Sequence, residues 1–266
     1  MLINALAVLL LTAPIGSPQD TLLDVGGYRM HLVVHRGTSP LTIVMESGGG
    51  ASFDAWAGLD STLARRTGAT VVAYDRAGFG GSEMGPSDLT PEQQVRQLNS
   101  ALERLGTPPS RLVIGHSYGG LLAVMHGHLY REQVRGLVLV DPMNVRFVKA
   151  TGDFVQTTVT HIEHPATARD SAVTRMVSGF DCLIASPLAN DAGLDLPIVV
   201  VTAGVPWWGK PDIDREWRRA HEAIAKATPR RRLIVAERSK HEVPRDRPDT
   251  ILEAVASLAE SPAPGR

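Results

Sequence analysis

What this sequence lacks narrows its function before any motif is read. Cysteine occurs once, at Cys182, so an intrachain disulfide and a zinc site built from several thiolates are both excluded. With no paired motif around it, that thiol is expected to be a small buried hydrophobe. An excess of either charge is also missing, because 27 basic side chains balance 28 acidic ones for a formal net charge of −1. Such a surface releases few counterions on a phosphate backbone, which argues against a nucleic-acid partner. The basic cluster Arg230 to Arg232 stands just before an apolar run and reads as a solvated loop edge. No apolar run is long enough for a stable membrane span. The N-terminal run, Ala5 to Leu11, gives way to Pro, Gly and Ser. Residues 1–20 therefore read as a signal peptide, implying a secreted or periplasmic protein, although the n-region has no Lys or Arg. The competing reading is an N-terminal extension on a cytoplasmic enzyme.

With 43% hydrophobic residues in 266, the rest of the chain can bury a substantial core. Two β-like runs flank Gly26-Gly27 as a hairpin signal. His31 and His35 fall on one face of the second run and read as surface or packing residues. Continuous apolar runs then recur at "LTIVMES", "ATVVAYD", "RLVIG", "GLVLVD", "LPIVVVTAG" and "RLIVAE". Helical stretches separate them. "FDAWAGLDSTLARRTG" reads as one amphipathic helix closed by Gly68. In "LTPEQQVRQLNSALERLG", Thr90 and Gln93 form a capping box, Pro91 suits the first turn and Gly106 stops the helix. Unbroken apolar strands alternating with helices predict an α/β fold, a mostly parallel sheet covered on both faces. Between Asp141 and Leu196 that rhythm stops, and the polar stretch is expected to be a cap inserted over the carboxyl edge of the sheet.

The segment "GHSYGG" places Ser117 between Gly115 and Gly119, after one apolar strand and before a helix. At such a turn a serine is forced into strained backbone angles, and side chains on its neighbours would collide with the strand and helix. The helix also points unpaired N–H groups at the space beside the serine oxygen. A serine hydroxyl needs a base, and nine histidines compete for that role. His116 neighbours Ser117 but should point elsewhere, while His126 and His128 recede along the helix. His161 and His164 belong to the insertion, and His221 to a polar helical stretch. His241 follows the last strand and so shares a sheet edge with Ser117. The carboxylate that would orient it is Asp141, which ends "GLVLVD", or Asp212, which follows "LPIVVVTAG" after Trp207 and Trp208; position favours Asp141.

On "GHSYGG", "AYDRAGFGGS", "ESGGG" with Trp56, and "KHEVPRDRP", the sequence resembles the serine-nucleophile branch of the α/β-hydrolase superfamily. The resemblance implies a core over 21–141 and 196–262 with a cap over 142–195. It implies a nucleophile at Ser117, a base at His241 and an acid in chain order between them. Most relatives carry that acid after the penultimate strand, where Asp212 lies; a subset uses the strand before it, which suits Asp141. It also implies an oxyanion hole from the amides of Tyr118 and Gly49, with Ser47-Gly48 standing where many members have His-Gly. Glu46 and Arg76 end neighbouring strands of the family's sheet and are expected to pair beneath the site. The substrate implied is a small or medium ester or amide, with the insertion beside it; Trp207 and Trp208 read equally as pocket wall or as ordinary packing. Aminopeptidase, lactonase and carbon–carbon bond hydrolase activities use the same residues, as does a ligand-binding receptor with negligible turnover. No cofactor is implied. The glycine run "ESGGG" lacks the Gly-Lys-Ser/Thr ending of a phosphate loop.

Overall fold

The computed structural model describes residues 17–152, 154–155 and 168–259. Most of the segment read as a signal peptide, and both His161 and His164, lie outside the described residues.

The strands are β1 (Gln19–Asp24), β2 (Arg29–His35), β3 (Leu41–Glu46), β4 (Thr70–Tyr74), β5 (Ser110–His116), β6 (Val134–Val140), β7 (Ile198–Ala203) and β8 (Arg231–Ala236). They form one eight-stranded sheet in the order β1-β2-β4-β3-β5-β6-β7-β8. β1 and β2 form the antiparallel hairpin, β2 pairs antiparallel with β4, and every pairing from β4 to β8 is parallel. Helices α1 (Leu59–Thr67), α2 (Pro91–Arg104), α3 (Tyr118–Leu129), α7 (Pro211–Lys226), α8 (Val243–Asp246) and α9 (Pro248–Ala259) surround it. Between β6 and β7 lie α4 (Val145–Thr151), α5 (Ala168–Ser178) and α6 (Phe180–Ala185), the helical cap. The fold is the expected α/β architecture with a cap insertion.

Period-two side-chain alternation divides the strand residues between two faces. Ile43, Met45, Val71, Leu112, Ile114, Val138 and Val199 pack with Leu63 of α1 and Ile251 and Val255 of α9. Their neighbours Val44, Val72, Val113, Leu137, Leu139 and Val200 pack with Leu98 of α2, Val124 of α3 and Ile224 of α7. Both faces are dry, which is why the strands carry no polar alternation. From β3 the chain moves one way to β4 and then crosses back to β5 on the other side. The connections diverge there, and a crevice opens at the carboxyl ends of β3 and β5.

Three local expectations are corrected. The stretch from Phe53 is two elements: a 3₁₀ turn over Phe53–Trp56, then α1, separated by Ala57 and Gly58 at φ 51° and 80°. Cys182 is exposed, because Phe180 and Leu183 give α6 its inward face and leave the thiol outside. Arg231 is buried in an ion pair with Asp191 at 2.6 Å, and it also donates to the carbonyls of Asp191 and Leu194. The other two arginines of that cluster are exposed. The capping box of α2 forms as expected, with both reciprocal bonds between Thr90 and Gln93.

His126 of α3 is wholly buried, and burial and then the nearby Arg111 push its pKa down to about 3. Because the unfolded chain protonates this ring first, its contribution to stability is full above about pH 6.5 and falls away toward pH 3. His126→Leu should therefore shift the acid-unfolding midpoint, followed by circular dichroism, to lower pH; an unchanged or higher midpoint contradicts this.

Candidate active site

Ser117 sits at the carboxyl end of β5 as the cap of α3, at φ 52° and ψ −121°. A residue with a side chain pays for that conformation in strain, and the packing around it explains how the strain is held. A Cβ on Gly119 would lie 2.6 Å from the Ser47 carbonyl oxygen and closer still to that of Glu46. One on Gly115 would overlap the Gly119 carbonyl and come within 2.8 Å of Ala123. A Cβ on Gly120 would lie 2.6 Å from Pro142. These glycines let α3 rest directly on the ends of β3 and β6. The Ser117 amide is bonded to Val140 O at 3.0 Å, and its carbonyl accepts from Met143 at 2.9 Å.

The Ser117 hydroxyl meets His241 Nε2 at 2.9 Å. On the other side of the ring, His241 Nδ1 donates to Asp141 Oδ2 at 2.8 Å. Asp141 stands one residue beyond β6 at φ 38°, its amide bonded to Val201 O at 2.6 Å. Its carboxylate has no solvent exposure, and three further donors reach it: Ala203 N–H at 2.9 Å, Trp217 Nε1 at 3.0 Å and Trp207 Nε1 at 3.1 Å. Burial pushes its pKa upward, but the His241 hydrogen bond, the neighbouring His221 and the Ala203 amide outweigh burial and hold the carboxyl below its ordinary range. Asp212 takes no part. It is exposed on the first turn of α7 and paired with Arg215.

The loop from Ser47 to Gly50 runs beside this arrangement. A Cβ on Gly48 would lie 3.6 Å from that of Ser117, and one on Gly49 would lie 3.5 Å from that of Tyr118. Ser47 itself is fixed by Trp56, whose indole donates to its hydroxyl at 3.0 Å.

A model of the alpha/beta hydrolase fold matches residues 42–188. The chain belongs to the α/β hydrolase fold family. YqjL of Bacillus subtilis is 27% identical over 233 residues, 87% of this chain and 88% of YqjL. The human (lyso)-N-acylphosphatidylethanolamine lipase is 37% identical over 109 residues, spanning 39% of this chain and 30% of the lipase. Among solved structures, a probable hydrolytic enzyme of Pseudomonas aeruginosa PAO1 superposes with a TM-score of 0.71 at 19% identity, covering 92% of this chain and 94% of that one.

Several residues of this α/β hydrolase do other than sequence reading expects. Glu46 and Arg76 make no ion pair. Arg76 donates to Ser47 O at 2.7 Å and to Gly48 O, while Glu46 accepts from Tyr74 OH at 2.5 Å. Burial pushes the Glu46 carboxyl up to about 7, with Tyr74 and Arg76 opposing. Trp207 is neither a pocket wall alone nor plain packing, since its ring stacks on His241 at 4.1 Å while its indole holds Asp141. The amides of Trp207 and Trp208 both donate to Asp214 at 3.0 Å, which pins the loop. His116 donates from Nε2 to the His241 carbonyl at 2.9 Å, and burial, then His241, lowers its pKa to about 4. It is thus a neutral strut behind His241. His31 and His35 are engaged with carboxylates, His31 with Asp75 and Asp20 and His35 with Asp60.

Trp217 and His221 are the supports that sequence reading misses. His221 is fully buried, accepts from Thr202 Oγ1 and donates to Pro142 O, both at 2.9 Å. The polar helical stretch in which His221 lies carries no sign of partners across the sheet edge.

Gly119→Ala should lower stability by at least ~2 kcal/mol in chemical denaturation, because backbone oxygens rather than a flexible side chain receive the methyl. A variant as stable as the parent would show that the loop at Glu46–Ser47 yields easily.

Proposed function

We propose that this α/β hydrolase is a serine hydrolase of small to medium carboxylic esters, acting through an acyl-enzyme. The observation that carries the reading is the unbroken relay from Ser117 Oγ through His241 to Asp141, at 2.9 and 2.8 Å. In that geometry His241 accepts the Ser117 proton as the oxygen attacks the ester carbonyl. Asp141 stabilises the imidazolium and keeps the ring in the tautomer with Nε2 facing serine. The amides of Gly49 and Tyr118 receive the oxyanion, worth about 10²- to 10³-fold in rate for each donor of this kind. His241 then protonates the departing alcohol, and water admitted to the same position releases the acid by the reverse sequence.

A cavity of about 390 Å³ beside Tyr118 supports a medium-sized apolar group on one side of the scissile bond. Phe79, Met84 and Leu89 line it from the core, and Met176 and Cys182 from the cap. The family resemblance and the partial match to a lipase agree with ester chemistry, although a shared fold does not choose a substrate.

The proposal is tested on p-nitrophenyl esters of graded chain length. Ser117→Ala should lose at least ~10³-fold in kcat/KM and Asp141→Asn about 10⁴-fold, the size expected when the imidazole tautomer is lost. Asp212→Asn should stay within about twofold of the parent, as surface substitutions do. Parent-like turnover by Ser117→Ala overturns the mechanism, and a large loss in Asp212→Asn with Asp141→Asn unaffected overturns the choice of acid.

A further inference from the structure

The expected ion pair between Glu46 and Arg76 does not form, and what Arg76 does instead has a consequence for the oxyanion site. Its guanidinium is buried under the nucleophile turn. One nitrogen donates to the carbonyl of Ser47 at 2.7 Å and the other to the carbonyl of Gly48. These are consecutive peptide groups, gripped by the two prongs of one planar fork. The Gly48 carbonyl accepts from the Ala51 amide as well, at 3.3 Å, which closes a turn with Gly50 at φ 72°.

Among the described residues there is no cis peptide bond. In a trans peptide the C=O of one residue and the N–H of the next point in opposite directions. Holding the Ser47 and Gly48 oxygens toward the guanidinium therefore turns the Gly48 and Gly49 amides away from it. The loop lies against Ser117 and Tyr118, with Gly48 beside the Cβ of the first and Gly49 beside that of the second. The same guanidinium lies 5.3 Å from the centre of the Tyr118 ring, so one group contacts both segments that carry the proposed donors. Free glycine peptides would rotate readily, since Gly populates both signs of φ.

We infer that Arg76 is a positioning residue that presets the oxyanion hole by fixing the carbonyls of Ser47 and Gly48 and so aiming the Gly49 amide at the space beside Ser117 Oγ. It touches no reacting atom. Its positive charge also lies behind the hole, on the side where a developing oxyanion is favoured. The inference rests on the hydrolase reading, and its test separates the two.

The test compares p-nitrophenyl acetate with its thionoester counterpart in the parent, Arg76→Lys and Arg76→Met. A thiolate-like sulfur is larger than oxygen and a poorer hydrogen-bond acceptor, so preference for the oxygen ester reads out a correctly formed hole. In Arg76→Met, kcat on the ester should fall about 10²-fold, the loss expected for one oxyanion donor, with KM changed less than about threefold. The thionoester rate should fall far less, so the ester-to-thionoester ratio should drop at least ~10-fold. Arg76→Lys, which keeps the charge but has only one nitrogen, should fall between, and it carries the test alone should the methionine variant not fold. Equal losses on both substrates, leaving the ratio unchanged, would mean that Arg76 merely supports the fold and would overturn the inference. A parent chain that hydrolyses esters but shows no preference over the thionoester would also overturn it. A parent with no Ser117-dependent turnover would instead bring down the hydrolase reading and this inference with it.

Discussion

A carboxylate without solvent contact, Asp141, is the constraint on which the rest of the site depends. An unpaired charge in such a place would cost several kcal/mol, so its environment must supply hydrogen bonds in full. Four donors do so: the Ala203 amide, the indoles of Trp207 and Trp217, and the His241 imidazole. They come from the end of β7, the loop after it, α7 and the loop after β8. One buried charge thus ties together every connection on that side of the sheet. His241 is fixed three times over: by Asp141 at Nδ1, by Trp207 against its face and by His116 at its carbonyl. Only Nε2 is left to face Ser117, which is what a base for that hydroxyl requires.

On the other side of the crevice the problem is steric rather than electrostatic. Ser117 is held at positive φ because glycine at 115, 119 and 120 lets backbone meet backbone. The motif "DRAGFGGS" is the counterpart after β4, on the far side of β3 from β5. Asp75 accepts from the amides of Phe53 and Gly81 and from His31, fastening the loop after β4. Arg76, the next residue, fastens the loop after β3. Two adjacent residues thereby fix two of the loops bordering Ser117, which gives that short motif its structural meaning.

Much of this is legible in the sequence, because the signals concerned are local. Apolar strands such as "RLVIG" and "GLVLVD" lie in a two-sided dry sheet, and a capping box at Thr90 and Gln93 needs four residues to declare itself. The glycines of "GHSYGG" announce a turn that only they fit. What the sequence conceals is long-range and polar. Arg231 lies in a basic cluster that looks solvated, yet it folds inward because Asp191, forty residues away, is waiting in the cap. Trp217 and His221 lie in a stretch that reads as a polar helix, and their hydrogen bonds to Asp141 and Thr202 depend on how that helix crosses the sheet edge. Glu46 ends β3 while Arg76 lies two residues beyond β4, and the carbonyls of Ser47 and Gly48 capture the guanidinium. Position favours Asp141 over Asp212 without deciding between them. Geometry brings only the former to His241.

The central claim is that the Ser117 oxygen becomes covalently acylated during turnover. Rapid acid quench of the intact protein with excess p-nitrophenyl butyrate, followed by peptide mass spectrometry, tests this most directly. The account predicts a butyryl adduct on the peptide containing Ser117, formed within the first turnover and absent when hydrolysis has run to completion. Steady turnover with no adduct, or an adduct confined to another residue, would contradict it.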